Sequence, residues 1–234
     1  MTLSGLPARR TYDVAQTMNI LITGGTGYIG TRLAAALSAR GHSVRALVRP
    51  GSAHRLPEHV VTVAGNALNA ASVTSVAEPT DTLVHLVGTA HPNPSKAEEF
   101  RRVDLESIRA SVAAAKERRI AHLVYVSVAH PAPAMQAYVA ARVEGEAAIA
   151  EAGLTATILR PWYVLGPGHY WPVVLIPFYA IGEMLPATRD SARRLGLVSV
   201  AQMVRALVVA VESPPVTGTR RTVEVPEIRR AQAQ

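Results

Sequence analysis

The chain has 234 residues, 49% hydrophobic and 18% charged, with a formal net charge of +7. That length supports one compact core, and the absence of cysteine excludes disulfides, thiolate zinc sites and cysteine nucleophiles. The positive charge is nearly all arginine and is scattered, without a recognisable motif, so nucleic acid is not an expected partner.

Residues 1–17 are polar and unpatterned and lack the apolar stretch of a secretory signal, so a disordered leader is expected there. A short apolar run at 19–23 predicts the first strand, and 27–40 a helix closed by Gly41. Strands follow at 43–48, 60–63 and 82–86. The longest helix is predicted over 95–118: Ser95 and Glu98 fit a capping box, and Phe100, Val103, Ile108 and Val112 fall at helical spacing. Next come a strand at 122–126, a helix at 136–152 before Gly153, and a strand at 155–159. A helix at 200–212 and a last strand at 222–225 complete the alternation. Strands apolar on both faces and separated by helices predict an α/β fold, a doubly wound parallel Rossmann sheet with helices on both faces.

In domain terms, 18–165 forms the dinucleotide-binding core. Residues 166–234 add a small substrate-side segment or lid, then the final helix and strand of the same domain. The stretch 171–185 is the most apolar, but Pro172, Pro177 and Glu183 interrupt it. It is too short for a membrane span of about 20 residues, and a cytoplasmic location is expected.

The strongest local signal is Thr23-Gly24-Gly25-Thr26-Gly27-Tyr28-Ile29-Gly30, between the first strand and the first helix. Gly24 permits a tight turn, Gly27 lets main chain approach a pyrophosphate, and Gly30 lets helix and strand pack closely. The helix N-terminus then offers N–H groups to phosphate. After strand two, where NAD sites carry a carboxylate, stand Val48-Arg49-Pro50-Gly51-Ser52, with no acid. Arg49 suits a 2′-phosphate and Ser52 can add a hydrogen bond, so NADP(H) is expected ahead of NAD(H).

These residues resemble the TGxxGxxG fingerprint of extended and atypical short-chain dehydrogenases/reductases, including NmrA-like proteins. Further blocks follow in the same order. Val63-Ala64-Gly65-Asn66 is similar to the adenine-contact turn, with Asn66 for aspartate and Ala67 beside it. His85-Leu86-Val87-Gly88 resembles the stretch that passes the cofactor ribose, and Val103-Asp104-Leu105 a segment of the long helix. Leu159-Arg160-Pro161-Trp162-Tyr163-Val164 through Gly168 resembles the block beside the nicotinamide. The resemblance implies cofactor contacts from Gly24, Thr26, Gly27, Tyr28, Ile29, Gly30, Asn66, Ala67, Val87, Gly88, Pro161 and Val164, besides Arg49 and Ser52.

The family carries a serine after strand five and Tyr-x-x-x-Lys on the next helix. Here the matching residues are Ser127, Tyr138 and Arg142. Tyr138 and Arg142, four apart, share a helix face. A phenol can protonate the oxygen of a carbonyl that accepts hydride, a nearby cation favours phenolate, and a serine polarises the carbonyl. Arg142 keeps the charge and can bond ribose hydroxyls, but it does not deprotonate and so relays no proton. Asp104, near the apolar face of its helix, fits either as a partner for Arg142 or as a surface acid.

His85 reads as a core histidine, and His54 and His59 as solvent-exposed. No metal-binding spacing occurs, so no metal is expected. His169, Tyr170 and Trp171 are expected near the substrate, and Arg189, Arg193 and Arg194 could hold an acidic group. The expected function is an NADP(H)-dependent oxidoreductase of a small carbonyl or alcohol. A non-catalytic NAD(P)-binding sensor or accessory protein is the alternative. A second is a peripheral membrane protein using 171–185. A homodimer is expected only by analogy with the superfamily.

Overall fold

The structure, a computed structural model, describes residues 17–168 and 189–232. Its first unit is β1 (Asn19–Thr23), α1 (Gly30–Ala39) and β2 (Ser43–Val48). Four of the five β1 residues are fully buried, which only a strand covered on both faces requires. Gly41, at φ +86°, takes the left-handed turn that ends α1 and returns the chain to the sheet. β3 (Val61–Ala64), the short helix α2 (Ala70–Ser75) and β4 (Thr82–His85) follow.

The long helix is not uniform. A turn at Pro94–Lys96 and α3 (Ala97–Glu99) lead into a π-helical turn, Phe100–Leu105, and only then into α4 (Glu106–Glu117). The capping box expected from Ser95 and Glu98 is not what starts it. Asn93 Oδ1 accepts the Ser95 N–H at 3.0 Å instead. β5 (His122–Val126), α5 (Gln136–Glu151) and β6 (Ala156–Arg160) come next.

β7 (Tyr163–Leu165) and β8 (Leu197–Ser199), both unforeseen, form a separate parallel pair. α6 (Arg189–Arg194) precedes β8, and α7 (Val200–Glu212) follows it, started by a capping box of Ser199 and Gln202. The last strand, β9 (Arg220–Glu224), sits earlier than the 222–225 expected, because Val225 and Pro226 already open α8 (Val225–Arg230).

Among the described residues, seven parallel strands form the main sheet in the order β3-β2-β1-β4-β5-β6-β9. This is the doubly wound Rossmann arrangement, in which the chain reverses direction across the sheet between β1 and β4. One apolar cluster joins α1, α7 and α8 to one face, through Leu33, Leu37, Met203, Leu207 and Ile228. Another joins the π-helical turn, α4 and α5 to the other face, through Phe100, Ile108, Tyr125 and Ile149. The C-terminal elements are thus part of the same core.

Candidate active site

Because the strands are parallel, every β-to-α connection leaves from one edge of the sheet, and the candidate residues collect there. The turn after β1 is built from backbone. Gly24 has φ +78°, and a Cβ on it would stand 2.7 Å from the Leu86 carbonyl carbon. Gly27 N–H closes the turn on Gly24 O at 3.0 Å. A Cβ on Gly30 would meet Gly25 Cα and O at 2.7 Å. α1 has no side-chain cap at Ile29 and no acid in its first turn, so its N-terminal N–H groups suit an anion. The bare turn and uncapped helix fit the diphosphate of a dinucleotide.

Two groups flank this turn. On the β2–β3 side, the Arg49 side chain is exposed and has no partner among the described residues. Ser52 lies beside it in the loop, its N–H on Arg49 O at 3.1 Å. Asn66 Oδ1 accepts the Leu68 N–H at 3.0 Å, which shapes the turn after β3 that holds Ala67. On the β4–β6 side lie Val87 and Gly88, then Ser127, Pro161 and Val164. Pro161 O accepts the Ala129 N–H at 2.9 Å, and Val164 pairs with Val198 in the small sheet. Tyr28 spans the gap, since a Cβ on Gly166 would collide with its hydroxyl. Thr26 lies half-buried in the turn.

Tyr138 and Arg142 project from α5. Tyr138 is half-buried, its ring 5.1 Å from that of Phe100. Its hydroxyl has no hydrogen-bond partner among the described residues. The Arg142 guanidinium carbon lies 5.2 Å from the Tyr138 ring centroid and 5.8 Å from that of Tyr125. Arg142 is only 5% exposed. Its Nη1 donates to Val126 O at 2.9 Å, and its Nη2 lies 2.6 Å from Asp104 Oδ1. Burial pulls its pKa down, but Tyr138, Tyr125 and Asp104 more than offset this and hold it above the ordinary value. It stays a cation.

Ser127 is buried, and its hydroxyl donates to Glu146 Oε1 at 2.5 Å. Arg160 grips the same carboxylate, through Nε at 3.0 Å and through Nη2, and reaches Glu224 at 3.1 Å. His130 Nε2 stands 3.5 Å from Glu146. The structure therefore joins Arg142 to Tyr138, and ties Ser127 into a neighbouring ionic cluster.

Some participants were not foreseen. Arg32 stacks on Tyr28 at 4.4 Å and donates to Tyr28 O at 2.7 Å, adding a cation beside the phosphate turn. Its signal was the four-residue spacing from Tyr28. Thr89, which holds Asp104, carried no signal. His85 is fully buried among Thr23, Ser107 and Ser111, and burial, with the Arg142 charge, brings its pKa down to about 3. His54 and His59 are exposed. Arg194 Nε is held by Pro131 O at 3.2 Å. His169, Tyr170, Trp171 and the stretch 171–185 lie outside the described residues. Among the described residues no helix is long and apolar enough to cross a membrane, and no cluster of three or more ligating side chains could hold a metal.

A family described as NAD(P)H-binding matches residues 24–168. A ceramide reductase of Caulobacter vibrioides is 28% identical over 90% of this chain, which spans 65% of that protein's length. A 3-diazoavenalumate denitrifying reductase of a Streptomyces species is 31% identical, over 84% of this chain and 73% of that one. The enzyme WbmH of Bordetella bronchiseptica, solved with NAD+, superposes with a TM-score of 0.65 at 21% identity. That match covers 85% of this chain and 73% of WbmH, and shows a shared fold.

Proposed function

The chain belongs to the NAD(P)H-binding family, and from that premise we propose that it is an NADP(H)-dependent oxidoreductase interconverting a small carbonyl compound and its alcohol. The observation that carries this reading is the Tyr138–Arg142 pair: a phenol with an uncommitted hydroxyl over a buried guanidinium, at the sheet edge that bears the phosphate turn.

The two relatives named above are reductases by name, which supports the reaction class. Candidate cofactor residues stand on both sides of the β1–β4 reversal, as an extended ligand with two nucleotide halves requires. The cofactor, when bound, supplies or accepts the hydride. Gly24, Thr26, Gly27, Tyr28, Ile29 and Gly30 would cup the diphosphate. Asn66 and Ala67 would lie on the adenine side, and Val87, Gly88, Pro161 and Val164 on the nicotinamide side. Arg49 and Ser52 would hold the 2′-phosphate, and the absence of a carboxylate after β2 favours NADP(H).

Tyr138 would donate its proton to the oxygen that becomes negative as hydride arrives, as a general acid. Arg142 would stabilise that charge from beneath the ring. With Nη1 on Val126 O and Nη2 beside Asp104, Arg142 would bring its charge to bear on Tyr138 and keep further N–H groups for the cofactor ribose. For Ser127 to polarise a carbonyl, its single proton must leave Glu146.

The test is titration with NADPH and NADH, then a carbonyl screen on the parent chain and on Tyr138→Phe. NADPH should bind more tightly, and the variant should lose about 10²- to 10⁴-fold in turnover. Unaltered turnover in Tyr138→Phe would refute the assignment. The engagement of Ser127 with Glu146 favours a second reading, a binding module without catalysis. It requires tight NADPH binding with no substrate in the screen turned over.

A further inference from the structure

The charges beneath Tyr138 support one more step, which rests on reading Tyr138 as the proton donor. Asp104 is fully buried, and a carboxylate is buried at low cost only with partners. Oδ2 accepts the Thr89 N–H at 3.0 Å and the Thr89 hydroxyl at 2.6 Å. Oδ1 lies 2.6 Å from Arg142 Nη2, in an ion pair whose angles are not those of a directed hydrogen bond. Arg142 Nη1 is held by Val126 O. Nη2 lies close enough to Gly88 that a Cβ there would run into it. The guanidinium is thus fixed from β4, β5 and the π-helical turn, with Tyr138 above it.

Two of the other ionisable groups around it, Tyr125 and His85, are neutral. Burial pushes the Tyr125 hydroxyl up to about 12 against the pull of Arg142, and holds His85 down at about 3. Glu146, one turn further along α5, is bound by Ser127 and Arg160. Asp104 is therefore the counter-charge in contact with Arg142.

We propose that Asp104 is a positioning residue for the Tyr138 chemistry: it fixes the Arg142 guanidinium under the phenol ring and offsets its charge there. A neutral amide at this position could do the first but not the second. The π-helical turn makes the arrangement. It sends Phe100 against the Tyr138 ring and Asp104 to Arg142, so one turn sets both the packing and the electrostatics of the tyrosine.

The test is a spectroscopic pH titration of tyrosinate in the purified full chain and in Asp104→Asn, each compared with the same protein carrying Tyr138→Phe. The difference isolates Tyr138. With the carboxylate gone, Arg142 is unopposed and favours phenolate. The Tyr138 midpoint should fall by at least about one pH unit, a tenfold change in ionisation constant. An unmoved midpoint in folded protein overturns the proposal and leaves Asp104 a packing residue.

An unpaired buried guanidinium can unfold the variant. In that event the comparison is Arg142→Lys with and without Asp104→Asn, in which a compact ammonium is easier to accommodate. The same fall is expected, and its absence overturns the proposal equally. The titration needs no substrate. A chain that reduces no carbonyl therefore sinks the functional reading, while the midpoint alone decides this one.

Discussion

Arg49 leaves β2 with its side chain in solvent, at the position where a carboxylate would hold a ribose hydroxyl. A guanidinium that bonds a phosphate makes charge-assisted hydrogen bonds worth about 1.5 to 3 kcal/mol. Arg49→Glu should accordingly weaken NADPH about 10- to 100-fold and leave NADH unchanged or improved, as read by calorimetry. Equal losses for both would mean that the side chain only shapes the loop. An expectation of this kind comes from chain position, here the place right after β2. Tyr138 and Arg142 stood out only through their resemblance to the family's Tyr-x-x-x-Lys, and their four-residue spacing put them on one helix face. The commitment of Ser127 to Glu146 did not, because it joins a strand end to a helix 19 residues later. Asp104 was legible only as two alternatives, and the fold decided for the partner of Arg142.

Elements whose faces match one period were visible from their apolar pattern. β1, β2 and β5 have the expected ends. The helix expected over 95–118 was not visible in its true form, because a π-helical turn adds a residue to one turn and leaves the apolar spacing nearly intact. α2 is six residues long and capped by Asn69, too short for its periodicity to register. β7 and β8 pair across a long stretch of chain, a contact no local pattern encodes. The β1–α1 turn makes its own prediction. A methyl on Gly30 would meet Gly25 backbone at 2.7 Å, where no side chain can yield. Gly30→Ala should destabilise the fold by about 1 to 3 kcal/mol and weaken NADPH binding beyond what the lost stability explains. Matched denaturant midpoints and affinities for variant and parent would refute the close packing assigned to that glycine.

At the scale of the molecule, the sheet carries two neutral histidines in its interior. His122 on β5 bonds Thr82 of β4 at 3.5 Å and Thr157 of β6 at 3.0 Å, and burial lowers its pKa to about 4. His85 sits near 3 for the same reason, with Arg142 adding to it. Both pKa values lie below the unfolded value of about 6.5, so the unfolded chain binds the extra protons. Stability should be full above about pH 6.5. It should fall as pH drops, until about 4 for His122 and about 3 for His85. Between pH 7 and pH 5 the two together should remove roughly 3 to 4 kcal/mol, measurable by urea unfolding at each pH. A flat profile would mean that the histidines are protonated in place. The doubly wound parallel class was legible from the alternation of strands and helices; the order of the strands was read only from the fold.

The small β7–β8 pair sets residue 163 beside 197 and residue 165 beside 199. Two passages of the chain far apart in sequence are thus locked side by side. Three rungs of main chain hold the two passages together, so a pull on either one is handed straight to its neighbour.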